Sequence, residues 1–330
     1  MDYRPFGHTG LQVSAIGFGC WEMGGGYGAF DEAEVISTIH RAIELGINCF
    51  DTAEGYGMGR SEQLLGKALG SRRKDVIVVT KFGINYKNER HKGRDSRASM
   101  VSAAIERGLK ALETDYIDVY LVHWPDRATP FDETMRALDD IVTQGKARFV
   151  GLSNFTLDEI KACMATRRVD VLQYGCNLFD RRMVKWIFPY AKEQQIGVMA
   201  YGSLAYGLLT GAFTEETTFA ENDWRRNGGG GFSLRLFAPD VFRRNVKAVN
   251  AIKAIAEKHG KKLPHLAINW VLSQPAVSTA LVGARRIAEV EDNMGALGWR
   301  LNDEIKDEVD RVFAEYEIDT APNKWVESID

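Results

Sequence analysis

Eight short runs of apolar, β-branched and aromatic residues recur along the chain: SAIGFG (14–19), INCFD (47–51), VIVVTKFG (76–83), DVYLVHW (118–124), ARFVGLSN (147–154), VLQYG (171–175), IGVMAYG (196–202) and STALVGA (278–284). Between most of them the apolar positions switch to helical spacing, over 31–45, 61–69, 96–112, 132–144, 157–165, 184–193 and 241–259. Near-continuous apolar strands alternating with amphipathic helices predict a parallel sheet covered by helices. Eight strands is the count of a closed (β/α)8 TIM barrel. Local signals agree. Asp31 precedes its helix with Glu34 three residues on, and Thr156 stands in the same relation to Glu159. Gly46 and Gly145 sit where helices should stop.

Two regions break the repeat. Residues 3–13 read as a β-hairpin around Gly7-His8-Thr9-Gly10, placed to plug one end of the barrel. Residues 202–240 form a long stretch after the seventh strand with little periodicity and a Gly228 to Gly231 run. Loops of that length in compact domains are functional or disordered, and this one reads as a mobile flap over a ligand. Residues 322–330 read as a tail. The whole, 1–330, reads as one domain.

Composition narrows the class. The chain has 330 residues, 45% hydrophobic, with a net charge of −3 and both signs interspersed. No basic stripe suggests nucleic acid. No apolar stretch reaches the ~18 residues that cross a bilayer, and the N-terminus does not read as a signal peptide. Cys20, Cys49, Cys163 and Cys176 stand singly, without CxxC or metal-ligand spacing. The expectation is reduced thiols in the cytoplasm and no metal site.

In a parallel barrel, reactive groups belong at the C-terminal ends of strands and in the loops that follow. Asp51 ends INCFD, Lys81 follows VIVVT, His123 follows DVYLV, and Tyr56 lies five residues past Asp51. A phenol is a weak acid at neutral pH; a lysine ammonium stabilises the phenolate. A carboxylate keeps that lysine charged and oriented, and an imidazole can donate to a substrate oxygen. Such a set suits carbonyl reduction, with hydride from a bound cofactor, since no side chain supplies hydride. A competing pattern is Gly24-Gly25-Gly26-Tyr27-Gly28-Ala29, which fits G-x-G-x-x-A after a strand with Asp51 about 20 residues on. In that reading Asp51 binds a ribose, and Tyr56, Lys81 and His123 go unexplained.

The segment 46–57 with Ser61-Glu62, followed by Thr80-Lys81, His123-Trp124-Pro125-Asp126, Gly151-Leu152-Ser153-Asn154, Gln173, Tyr201, Gly207 to Gly211 and Gly283-Ala284-Arg285, resembles the aldo-keto reductases in order and over nearly the whole chain. The resemblance implies Tyr56 as proton donor, Lys81 and Asp51 as its supports and His123 as the carbonyl's orienter. It places Ser153, Asn154 and Gln173 on the nicotinamide carboxamide and Tyr201 on the ring face. Gly19, Cys20 and Trp21 would border the cofactor. Gly202, Ser203, Leu204, Gly207, Leu209 and Arg225 would hold the pyrophosphate, and Gly283, Arg285, Glu289, Asp292 and Asn293 the adenosine half. Trp21 and Trp124, with Tyr56 and His123, would line the substrate pocket. Many relatives carry Ser-Pro where this chain has Gly202-Ser203. Glu289 would repel a ribose 2′-phosphate, whereas Arg285 would attract it. The expected cofactor is NADPH/NADP+, with NADH/NAD+ the alternative; the substrate is a small carbonyl compound or alcohol. The family also includes potassium-channel β subunits, so a cofactor-binding partner protein is the second reading. Bland readings stand beside several assignments: Gln173 as a core amide, Trp21 and Trp124 as packing, Arg225 as a solvated charge, Cys20 and Cys176 as small core residues.

Overall fold

The structure is a computed structural model that describes residues 1–25, 30–84, 93–221, 223–228 and 234–322. Two short strands, β1 (Tyr3–Pro5) and β2 (Gln12–Ser14), pair antiparallel as the hairpin. Eight parallel strands follow: β3 (Ile16–Gly19), β4 (Cys49–Asp51), β5 (Ile77–Phe82), β6 (Ile117–Val122), β7 (Ala147–Ser153), β8 (Val171–Gly175), β9 (Gly197–Tyr201) and β10 (Val277–Gly283). Each bonds the next, and β10 bonds β3, so the sheet closes into the expected (β/α)8 barrel.

The surrounding helices are α1 (Glu32–Glu44), α2 (Arg60–Leu69), α3 (Ala98–Ala111), α4 (Phe131–Thr143), α5 (Leu157–Met164), α6 (Arg182–Trp186), α7 (Phe188–Glu193), α8 (Pro239–Lys258), α9 (Leu263–Leu272), α10 (Ile287–Asn293) and α11 (Asp303–Glu315). The caps read from sequence form. The Asp31 carboxylate accepts the Ala33 and Glu34 amides, and Thr156 with Glu159 makes a reciprocal capping box. The helix expected over 184–193 is instead two. The chain bends at Ile187, and Pro189 enters the first turn of α7, where its missing N–H is harmless. Helix α9 adds to the predicted set. It is buried on nearly every side, so it lacks the polar stripe by which a helix is read.

Inside the barrel, Cys49, Ile77, Val79, Val119, Leu121, Val171, Met199 and Leu281 form one apolar plug with Phe6 and Val13 of the hairpin. The hairpin therefore closes the N-terminal end. Phe6 fits only because Gly197 has no side chain: a Cβ there would lie 2.5 Å from the ring. The 323–330 part of the expected tail lies outside the described residues, as do Gly229 to Gly231 of the flap's glycine run.

Candidate active site

Side chains on a strand alternate faces with a period of two. Each inward row of the barrel can therefore be followed one step toward the C-terminal end. Cys49 leads to Asp51, Val79 to Lys81, Leu121 to His123, Val171 to Gln173 and Met199 to Tyr201. The alternation that builds the apolar plug also stacks a polar layer on top of it. Tyr56 enters this layer from the loop after β4.

The layer is tightly bonded. Lys81 Nζ donates to Asp51 Oδ2 at 2.8 Å, to the Thr52 carbonyl at 2.8 Å and to the Tyr56 hydroxyl at 3.0 Å. Gln173 Nε2 donates to the other Asp51 oxygen at 2.7 Å. Asp51, Lys81 and Gln173 are buried. Burial pulls the Lys81 ammonium below the ordinary lysine value, and the Asp51 carboxylate opposes that pull. The His123 ring stands edge-on to Tyr56, with centroids 5.6 Å apart. Burial first, and the Lys81 charge second, hold His123 neutral far below the usual histidine range. Its Nδ1 has no hydrogen-bond partner among the described residues. With Asp51 bound to Lys81 in a closed barrel, the doubly wound fingerprint reading fails; 26–29 of that pattern lie outside the described residues.

Beside the tetrad lies a second network. Tyr201 donates to Asn154 Oδ1 at 2.8 Å, and Asn154 Nδ2 donates to the Ser153 hydroxyl and the His123 carbonyl. Asn154 is in the left-handed region, at φ 67°, which Asn tolerates better than most residues. Gln173 holds Asp51 from one side. It also faces the cavity.

From the tetrad a cavity of about 820 Å³ runs outward to Arg285, Asp292 and Asn293, within the range of cofactor-sized sites. Most of the expected residues line it: Gly19, Trp21, Asp51, Tyr56, His123, Trp124, Ser153, Asn154, Gln173, Tyr201, Gly202, Ser203, Leu204, Gly207, Arg225, Gly283, Arg285, Glu289, Asp292 and Asn293. Lys81 lies just beneath, with no exposure. Two expected residues do not reach it. Cys20 is fully buried and caps the short turn Trp21–Gly24. Leu209 is fully buried, and its amide bonds back to the Leu204 carbonyl. Ser203 donates to the Leu281 carbonyl at 2.9 Å and ties the covering segment to β10. Arg225 has an internal duty. Its guanidinium grips Asp223 at 2.6 Å and the Tyr206 carbonyl at 3.1 Å, and lies 4.9 Å from the Phe219 ring centroid. Glu289 accepts the Arg285 backbone N–H at 2.8 Å, and Asp292 pairs with Lys262.

Several wall residues escaped the sequence reading, Tyr206 and Glu22 among them. Tyr206 and Trp224 from the covering segment meet Trp21, with centroids at 6.2 and 5.7 Å. They lie in a stretch with no periodicity to read. Glu22, one residue past Trp21, also faces the cavity. It follows a strand end, the one signal by which it could have been found. No helix among the described residues is long and apolar enough to cross a membrane.

Comparison with known proteins agrees with this architecture. The aldo/keto reductase family profile matches residues 15–314. Aldo-keto reductase YhdN of Bacillus subtilis (strain 168) is 38% identical over 94% of this chain and 93% of its own length. A probable voltage-gated potassium channel subunit beta of Arabidopsis thaliana is 33% identical, over 90% of this chain and 91% of its own. The structure of the glycerol dehydrogenase AKR11B4 from Gluconobacter oxydans superposes with a TM-score of 0.86 at 34% identity, covering 98% of this chain and 99% of that one. A closed eight-strand barrel, a buried Asp–Lys pair touching a tyrosine at its mouth and a match from residue 15 to 314 lead to one conclusion: this chain belongs to the aldo/keto reductase family.

Proposed function

We propose that the protein reduces small aldehydes or ketones to alcohols, or runs the reverse reaction, with NADPH as its preferred cofactor and NADH the alternative. The observation that carries this reading is the Tyr56 hydroxyl 3.0 Å from a buried ammonium that is itself 2.8 Å from a carboxylate. The chain's groups fit a nicotinamide dinucleotide. Ser153, Asn154 and Gln173 offer amide and hydroxyl partners beside the Tyr201 ring, and Arg285 offers a guanidinium at the far end for a ribose phosphate. The reduced nicotinamide, when bound, supplies the hydride.

The chain's own residues do the rest. Tyr56 gives its proton to the carbonyl oxygen, and Lys81 stabilises the phenolate left behind. Asp51 keeps Lys81 charged and aimed, and Gln173 keeps Asp51 in place. A neutral His123 can donate one hydrogen bond to the same oxygen without adding a second cation beside Lys81. Trp21, Tyr206 and Trp224 keep water from the reacting atoms. The intact set favours catalysis over a purely partner-binding role. Four buried cysteines, all free thiols, fit a cytoplasmic setting.

A panel of aldehydes, ketones and alcohols, followed by the absorbance of the reduced nicotinamide with each cofactor, tests the class. Tyr56→Phe should lower kcat by about 10²–10⁴-fold while leaving the dinucleotide Kd within about twofold. An undiminished kcat in that variant removes Tyr56 from the chemistry.

A further inference from the structure

Glu22 is an acid in the cavity wall to which the proposed chemistry gives no task. It sits in the turn after β3, between the tetrad and the Arg285 end, and its carboxylate rests on the backbone of Gly283. A Cβ at Gly283 would lie 2.0 Å from Glu22 Oε1 and 2.3 Å from Oε2. The acid therefore occupies a seat that exists because residue 283 has no side chain. Anything that fills the cavity from Tyr201 to Asn293 runs beside this carboxylate.

The charges around that seat are few. On the β10–α10 side, Arg285 favours the carboxylate and Glu289 opposes it. Beneath it, Cys20 is a fully buried thiol that burial keeps protonated. Farther along, Asp292 is paired with Lys262 and with His265 at 3.4 Å. One guanidinium offsets one carboxylate, and desolvation decides the balance: burial raises the Glu22 acid to about 7, against a hydrogen bond from its own amide and the pull of Arg285.

We propose that Glu22 is a proton-dependent determinant of dinucleotide affinity: it accepts the cofactor's anionic groups as a neutral acid, donating a hydrogen bond, and resists them as a carboxylate. This rests on the reading of the cavity as a dinucleotide site. A phosphate brought alongside Glu22 makes its ionisation harder still, so binding draws in a proton. The sign follows from linkage. The bound form holds the proton to higher pH than the free form, so affinity is full below about pH 7 and falls as pH rises above it.

The test is equilibrium binding of NADPH and, separately, NADH between pH 6 and 8.5. It is read by quenching of tryptophan fluorescence and by titration calorimetry in two buffers of different ionisation enthalpy. The wild-type Kd should weaken by about tenfold from pH 6 to pH 8, the limit set by one linked proton. Calorimetry near pH 7.5 should show uptake of about half a proton or more per dinucleotide. Glu22→Gln keeps the shape and a donor and should bind at pH 8 about as tightly as wild type binds at pH 6. The 2′-phosphate of NADPH titrates in the same window, and it is still present when that variant binds NADPH. The wild-type minus variant difference is therefore Glu22's share. Gly283→Ala, which pushes the flexible carboxylate off its seat, should also flatten the profile. A wild-type Kd that does not vary with pH, or a slope that survives unchanged in Glu22→Gln, overturns the proposal. Failure of both cofactors to bind at any pH overturns instead the reading of the cavity as a dinucleotide site.

Discussion

At the barrel mouth, Asp51, Lys81 and Gln173 project from strands bonded to neighbours on both sides, and the hydrogen bonds that join the three fall at 2.7–2.8 Å. At the far end of the same cavity, Arg285 stands on a loop, and Glu289 and Asp292 on a helix of 7 residues. The first set is buried and mutually satisfied, so any one deletion strands a partner in a dry place. The second is half-exposed or exposed, and water can replace a lost partner. In the proposed function the chemistry thus belongs to the rigid part of the fold and cofactor preference to the adjustable part. The Arabidopsis relative named as a channel subunit and the Gluconobacter relative named as a dehydrogenase match this chain over the same barrel.

The largest effect should come from breaking the mouth. Lys81→Met removes the ammonium but leaves Asp51 buried at 3% exposure with an unpaired charge. Removing one partner of a buried pair costs about 3–5 kcal/mol of stability, and loss of phenolate stabilisation should lower kcat at least as much as loss of the Tyr56 hydroxyl. Urea unfolding and single-turnover kinetics read the two effects separately. The double variant Asp51→Asn with Lys81→Met should recover about half or more of the stability and none of the turnover. Equal stability of single and double variants would show that the pair is not coupled.

The far end should answer more gently. Arg285→Ala removes the guanidinium offered to a 2′-phosphate, a charge-assisted contact worth about 1.5–3 kcal/mol. The NADPH Kd should rise by about ten- to hundredfold, and the NADH Kd by less than about threefold. Parallel losses for both cofactors would mean that Arg285 serves the part they share, and the preference for NADPH would have to be given up.

The same contrast explains what could be read from sequence. The mouth was legible because period-two alternation is rigid: once Cys49, Val79, Leu121 and Val171 are inward, Asp51, Lys81, His123 and Gln173 must be inward too. Strand order needed nothing more than eight apolar runs. Helix α9 was hidden by its own burial, and the split at Ile187 by a proline that one can equally place inside the first turn of a helix. The covering segment carries no period, so Tyr206 and Trp224 could be placed against Trp21 only in three dimensions. Cys20 follows the core reading that the sequence also allowed. Its place beside Gly19 and Trp21 suggested the cavity, but backbone alternation turns it into the core.

The gentlest effect concerns the pH dependence of the mouth itself. His123 is kept neutral by burial and by Lys81. In the unfolded chain the same ring takes up a proton below about pH 6.5. The unfolded state then binds a proton that the folded state refuses, so stability falls as pH drops below 6.5, by at most about 1.4 kcal/mol per pH unit from this ring. The useful quantity is a difference, which isolates this ring. Denaturant unfolding at pH 7, 6 and 5 should show wild type losing about 1–2 kcal/mol more than His123→Gln across that range. If the two lose stability in parallel, the folded protein tolerates an imidazolium beside Lys81. The neutral donor assigned to His123 would then be the wrong form of the residue, even with Tyr56 and Lys81 in their proposed roles.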